Sequence, residues 1–127
     1  MQDLPTPSEM LGAVAAFLKE VVAIEAKGAT SFQARVAANA LEIVRRQLDQ
    51  APPEEAQELE RLRALLGHDG ALSDLNAELA LRIREGGLDL ETPGLAEHLW
   101  ATTLAKVAVD QPNYSGYRAA LAEREDD

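Results

Sequence analysis

Three groupings in the chain hold the side chains best suited to chemistry. Gly67-His68-Asp69-Gly70 sets an imidazole beside a carboxylate in a glycine-bracketed loop, the two group types that general acid-base catalysis uses. The competing reading is a histidine that fastens its loop. Arg35 and Asn39 stand four residues apart beside an apolar series of Phe32, Val36 and Ile43, a spacing that turns both toward one groove of a helical surface. Either they bind a ligand or partner there, or Arg35 lays its stem over apolar surface and Asn39 bonds a backbone group. Thr103, Lys106 and Asp110 recur at three and four, which predicts a Lys106–Asp110 ion pair on a solvated face. Asn113 and Tyr114 follow as a cap on that helix end.

Other chemistries lack their residues. A carboxylate-bridged metal pair on helices needs Glu-x-x-His, but Leu65 precedes His68 by three and Leu95 precedes His98 by three. With two histidines and no cysteine, thiolate catalysis, disulfides and cysteine-type zinc sites are excluded. Neither a phosphate-loop nor a dinucleotide glycine pattern occurs. The expectation is therefore no metal and no cofactor.

The elements that must carry these residues are helical, because Ala and Leu dominate the apolar set while Val and Ile are scarce. Aromatic residues make up only 4% of the chain, too few to wall a large cofactor. Thr6-Pro7-Ser8-Glu9 reads as a capping box with proline at the first helical position. It opens helix 1, about 7–27, whose stripe is Met10, Val14, Phe17, Leu18, Val21 and Val22, and which Gly28 ends. In helix 2, about 31–50, Phe32, Val36, Ala40, Ile43, Val44 and Leu48 line one face, and Ala34, Ala37, Ala38 and Ala40 carry no bulk, so a neighbour can approach its backbone closely. Pro52-Pro53 should break it and open helix 3, about 53–66. Ser73 should cap helix 4, about 73–85, and Thr92-Pro93 helix 5, about 93–110. Leu88 to Glu91 reads as an extended connector. A short helical tail is expected over about 114–123, with the charged end from Glu123 to Asp127 fraying. Connections this short favour a single all-α domain over residues 1–127, an antiparallel bundle of about five helices. Helix 5 is apolar around more than half its circumference, so it should be central, with Leu99 in the core and Trp100 in the core or at a subunit contact.

Twelve basic against 22 acidic residues leave a formal charge of -10. That field repels phosphate backbones and anionic lipids, which argues against nucleic-acid and membrane partners. No cleavable leader and no apolar run of spanning length is visible, so the expected compartment is the cytoplasm. Apolar positions left over on helix 5 predict a symmetric homodimer through a helical face, burying on the order of 1,000 Å² or more.

F-x-A-R-V-A-A-N-A-L-x-I-V at 32–44, L-R-A-L-L-G-H-D-G at 62–70, L-N-A-E-L-A at 75–80 and V-D-Q-P-N-Y-S at 109–115 together resemble a bacterial family of small uncharacterised helical domains. The resemblance covers nearly all of residues 3–116. It implies a genomic setting beside proteins similar to aminoglycoside phosphotransferases, sometimes fused to them, and near acyl-CoA dehydrogenases. Arg35, Asn39, Gly67, His68, Asp69, Gly70, Asn76, Asp110, Pro112 and Tyr114 are the positions most typical of the family, and none brings a known role with it. The leading expectation is a non-catalytic accessory or regulatory domain for a kinase-like or acyl-CoA dehydrogenase-like partner, using Arg35, Asn39, His68, Asp69, Asp110 and Tyr114. Two alternatives stand beside it: a small-ligand binder or enzyme built on Arg35, Asn39, His68 and Asp69, and a structural homo-oligomeric domain.

Overall fold

The computed structural model describes residues 3–125, and every regular element among them is helical. The helices are α1 (Pro7–Phe17), which continues through a π segment (Leu18–Val22) into α2 (Ala23–Glu25), then α3 (Ala29–Leu66), α4 (Leu72–Arg84), α5 (Leu95–Asp110) and α6 (Ser115–Glu125). With the first three segments counted as one rod, that is the all-α fold of about five helices the composition implies. The tail helix extends past Glu123, and Asp126 and Asp127, part of the end expected to fray, lie outside the described residues.

The chain separates into two compact units, Met1–Ala51 and Pro52–Asp127. The first is a helical hairpin. Its start is the expected capping box: Thr6 Oγ1 accepts from the Glu9 N–H at 3.2 Å, and Glu9 Oε2 accepts from the Thr6 N–H at 2.7 Å. Gly28, at φ 60°, makes the turn. Ser8 Oγ donates to Asp49 Oδ2 at 2.8 Å, and Ser31 Oγ donates to the carbonyl of Ala23. Those pairings run the first rod and the first half of α3 antiparallel.

The hairpin buries a different face from the one the sequence pattern suggests. Ala15, Ala23, Ala34 and Ala38 are buried, while Val14, Phe17, Val21, Phe32, Val36, Val44 and Leu48 are exposed. Alanines let two helix backbones approach closely, and of the larger apolar side chains of the two stripes Met10, Leu18, Val22 and Ile43 are half-buried at the edges of this contact while the others are exposed. In the first rod the π turn also rotates the helix phase, because it inserts a residue into the regular repeat.

Pro52-Pro53 does not end the helix. Both prolines lie inside α3, and the boundary between the two units falls at this pair. Lacking N–H groups, they leave the carbonyls of Leu48 and Asp49 without their helical donors. Leu48, Asp49, Pro52 and Pro53 are all exposed, so the disruption is placed on the wet side of the helix.

The second unit holds the larger core. Leu62 and Leu66 of α3, Leu75 and Leu79 of α4 and Leu95 of α5 form one buried cluster, with Leu59, Leu65, Leu72 and Leu88 packed against it. Three local expectations are corrected here. Ala71, not Ser73, precedes α4, and the Ser73 hydroxyl instead reaches Asp74 at 3.4 Å. Gly94, at φ 86°, opens α5 in place of Thr92. Leu88 to Glu91 is not extended but turned, because Asp89 Oδ1 accepts from the N–H groups of Glu91 and Thr92 at 3.0 and 3.1 Å. Leu99 is 38% exposed and Trp100 54%, so neither is core; α5 buries Leu95, His98 and Leu104. The core of this unit sits where three Leu-bearing helices meet.

Candidate functional site

The glycine-bracketed loop is held by two chains of polar contacts. Gly67, at φ 82°, stops α3, its N–H bonded to the Arg63 carbonyl at 2.9 Å. Asp69 Oδ1 then accepts from Arg63 Nε and from the Gly70 N–H, each at 2.8 Å, and Arg63 also pairs with Glu60. His68 presents Nδ1 to the backbone carbonyl of Asp69 at 3.0 Å and Nε2 to Glu78 Oε2 at 2.9 Å, and Arg82 pairs with the same Glu78 carboxylate. Both partners of the imidazole are acceptors, so the geometry is satisfied only when both ring nitrogens carry protons. The hydrogen bond to the Asp69 carbonyl, followed by that to Glu78, accordingly raises the His68 pKa above its ordinary value. Asp69 and Glu78 are lowered, chiefly by their bonds to Arg63 and His68 respectively. His68 and Asp69 do not face each other as acid and base: the ring reaches the Asp69 carbonyl, and the carboxylate is turned to Arg63.

Asn76 has a fastening role as well. Its Nδ2 donates to Glu58 Oε1 at 2.7 Å and to the Leu72 carbonyl at 3.1 Å, which ties α4 to α3.

Asn76 also lines a cleft that holds a feature the sequence did not single out. His98 is only 1% exposed, yet its Nδ1 has no hydrogen-bond partner, and the buried Oγ1 of Thr102 and Nε of Arg61 are likewise unpartnered. His98 and Thr102 line a cleft of about 230 Å³ between α4 and α5, with Asn76, Leu79 and Ile83 opposite and Lys106 at the far end. Burial lowers the His98 pKa; the positive charges of Arg61 and Lys106 lower it further, while Glu58 opposes them. Its ordinary state in the cleft is the neutral ring. Thr103, Lys106 and Asp110 are all exposed, as expected of a solvated file, but Lys106 and Asp110 form no ion pair among the described residues, and Thr103 and Lys106 also line this cleft. His98, Thr102 and Lys106 stand at i, i+4 and i+8, a signal open to a search for polar residues on one helical face but not to a search for metal ligands.

A second cleft, of about 250 Å³, lies between α5 and α6 and is walled by Trp100, Leu104, Val107, Tyr114 and Tyr117. Gly116 lies beneath it, where any larger residue makes the exposed Tyr114 ring shift. A Cβ there would stand 2.7 Å from the Tyr114 ring. Asp110 is exposed at the end of α5, and Arg35 and Asn39 are exposed on α3 in the first unit. Neither cleft is lined by Arg35, Asn39, His68, Asp69 or Asp110, and Tyr114 alone of the nominated residues lines one.

A family model described as Domain of unknown function (DUF6285) matches residues 24–114. The chain belongs to that family. The DUF6285 match starts in α2 and stops before α6, so it includes Arg35, Asn39, the His68 loop, Asn76 and the whole His98 cleft, whereas the aromatic cleft is completed by residues beyond it. No curated protein and no solved structure matches the chain. No described helix is long and apolar enough to cross a membrane.

Proposed function

We propose that this DUF6285 chain is a non-catalytic accessory or regulatory domain that docks onto a kinase-like protein similar to the aminoglycoside phosphotransferases, an acyl-CoA dehydrogenase-like protein being the other candidate partner. One observation carries the reading. Phe32, Arg35, Val36 and Asn39 lie at i, i+3, i+4 and i+7 of α3 and are all exposed, Phe32 by 67% and Val36 by 52%. Two apolar anchors flanked by a guanidinium and an amide have the composition of an interface centre, where aromatic residues and Arg are enriched. The occupation of His68 and Asp69 in holding their loop supports a non-catalytic role. The partner classes rest on the genomic setting that the family resemblance implies, and the cytoplasm is the compartment that goes with a nucleotide-using partner.

The test mixes the purified full chain with each purified neighbouring protein and measures affinity by calorimetry. Arg35→Ala should weaken binding by about thirtyfold, the effect of about 2 kcal/mol at an interface anchor. Its melting temperature should hardly move, since exposed polar substitutions cost under about 0.5 kcal/mol. Unchanged affinity in Arg35→Ala and Phe32→Ser, or no binding to either protein, defeats the proposal.

The exposed Trp100 favours a second reading, a homodimer through the α5 face. Sedimentation should then show a dimer for the natural chain and a monomer for Trp100→Ser.

A further inference from the structure

We propose that the cleft between α4 and α5 is a binding site for a short-chain monocarboxylate, held by Thr102, His98 and Lys106 with its hydrocarbon tail against Leu79 and Ile83. The placement follows from the helix repeat. His98, Thr102 and Lys106 succeed one another every four residues, so their side chains form a polar file along one wall, about 6 Å apart per step. Leu79 is buried and Ile83 lies nearer the rim on the opposite wall. The cleft is thus amphipathic along its width, polar on α5 and apolar on α4.

Its polar side is incomplete as it stands. Buried donors and acceptors are almost always paired, yet His98 Nδ1 and Thr102 Oγ1 are both buried without a partner, and both residues line the same cleft. Both atoms are closed off from the empty cleft, so a carboxylate that answers both draws the Thr102 hydroxyl and the His98 ring toward it, its oxygens accepting from the hydroxyl and from an imidazole N–H. The charges around the ring select the same ligand. Arg61 on α3 and Lys106 on α5 make the potential at His98 positive, against Glu58 on α3, whose Oε1 is already bonded to Asn76 of α4. An anion is favoured in that field even though the chain as a whole is acidic.

Size fixes the class further. A cavity of about 150 Å³ holds benzene, so one of about 230 Å³ takes a ligand about half as large again, on the order of eight to ten non-hydrogen atoms. A straight acid of six carbons has that size.

The experiment titrates sodium hexanoate into the full chain and follows both histidine rings by NMR, with sodium chloride at equal ionic strength and 1-hexanol as controls. Hexanoate should shift the His98 resonances and leave those of His68 in place, with millimolar affinity, the range for so small a ligand. A bound carboxylate should also raise the His98 titration midpoint, which hexanol cannot do. Thr102→Val should weaken hexanoate binding about tenfold, the effect of one lost hydrogen bond in a buried setting. Lys106→Met should weaken it about threefold to fivefold, as suits an exposed charge. Lys106 is exposed, so that variant folds and keeps the test decisive if Thr102→Val does not. The proposal is overturned by a His98 ring that hexanoate leaves unmoved, by hexanol binding as tightly, or by undiminished affinity in Lys106→Met.

Discussion

The two histidines are oppositely placed, and the same titration separates them. His68 sits between two acceptors that favour its charged form, so its midpoint should lie above the ordinary imidazole value of about 6.5, while buried His98 should titrate below it. Glu78→Ala should lower the His68 midpoint, since that carboxylate is one of its two partners. The consequences for stability have opposite signs. What His68 contributes is fully present below its unfolded pKa and is lost as pH rises through the raised folded value. What the neutral ring of His98 contributes is present above the unfolded value and is lost as pH falls toward the depressed folded one. Asp69 and Glu78, both lowered, keep their contributions above their unfolded values and lose them as pH falls through the folded ones. Denaturant unfolding of His68→Gln beside the natural chain should show the gap between them closing above neutral pH. A gap that widens there would refute the doubly bonded ring. The loop itself was legible from two glycines around a polar pair. The buried His98 was not, because burial is decided by which turn of α5 meets Leu75 and Leu79, and an alternation of apolar and polar residues that covers most of a helix does not single out that turn.

At the scale of the helices, the element types and several boundaries could be read from periodicity and the Thr6 capping box, and the alanines of the second helix signalled a close approach, but the exposure of the larger apolar stripe could not be read. Periodicity says that Phe32 and Val36 share a face; it does not say that the face is inward. The close approach of two backbones made the alanines the interior. The same limit applies to Leu99, which shares spacing with buried Leu95 but lies on the rim. Substitutions separate the two faces. Ala38→Leu, inserting bulk into a buried position, should cost about 1–3 kcal/mol. Phe32→Ser should cost under about 0.5 kcal/mol. Leu62→Ala, at the centre of the leucine cluster, should cost roughly 2–5 kcal/mol, and Leu99→Ala well below that. Equal losses at Leu62 and Leu99 in denaturant unfolding would restore the central role expected of α5. The proline pair is a further case where a strong local rule gave way: on an exposed side of a long helix, two missing N–H groups mark a boundary between units without stopping the helix.

For the whole molecule, the interiors of the two units differ in kind. The second has a cluster of five buried leucines, whereas the buried apolar residues of the first are alanines. Apolar area removed from water scales with side-chain size, so the first unit draws much less stability from its interior. Hydrogen exchange should therefore divide along the chain, with amides of residues 7–51 exchanging through low-energy openings and those around Leu62, Leu75 and Leu95 only through global unfolding. The division should run inside α3, near Pro52-Pro53, in a helix that is continuous by its backbone. A unit of this kind is the one that a docked partner changes most, because covering Phe32 and Val36 adds the large apolar burial that its own interior lacks. If the proposed kinase-like partner docks there, saturation with it should slow exchange in residues 29–40 in proportion to occupancy while leaving the leucine cluster as it was. Uniform protection across α3 in the free chain would show that the first unit needs no such support, and protection gained only around α5 would move the docking face to Trp100.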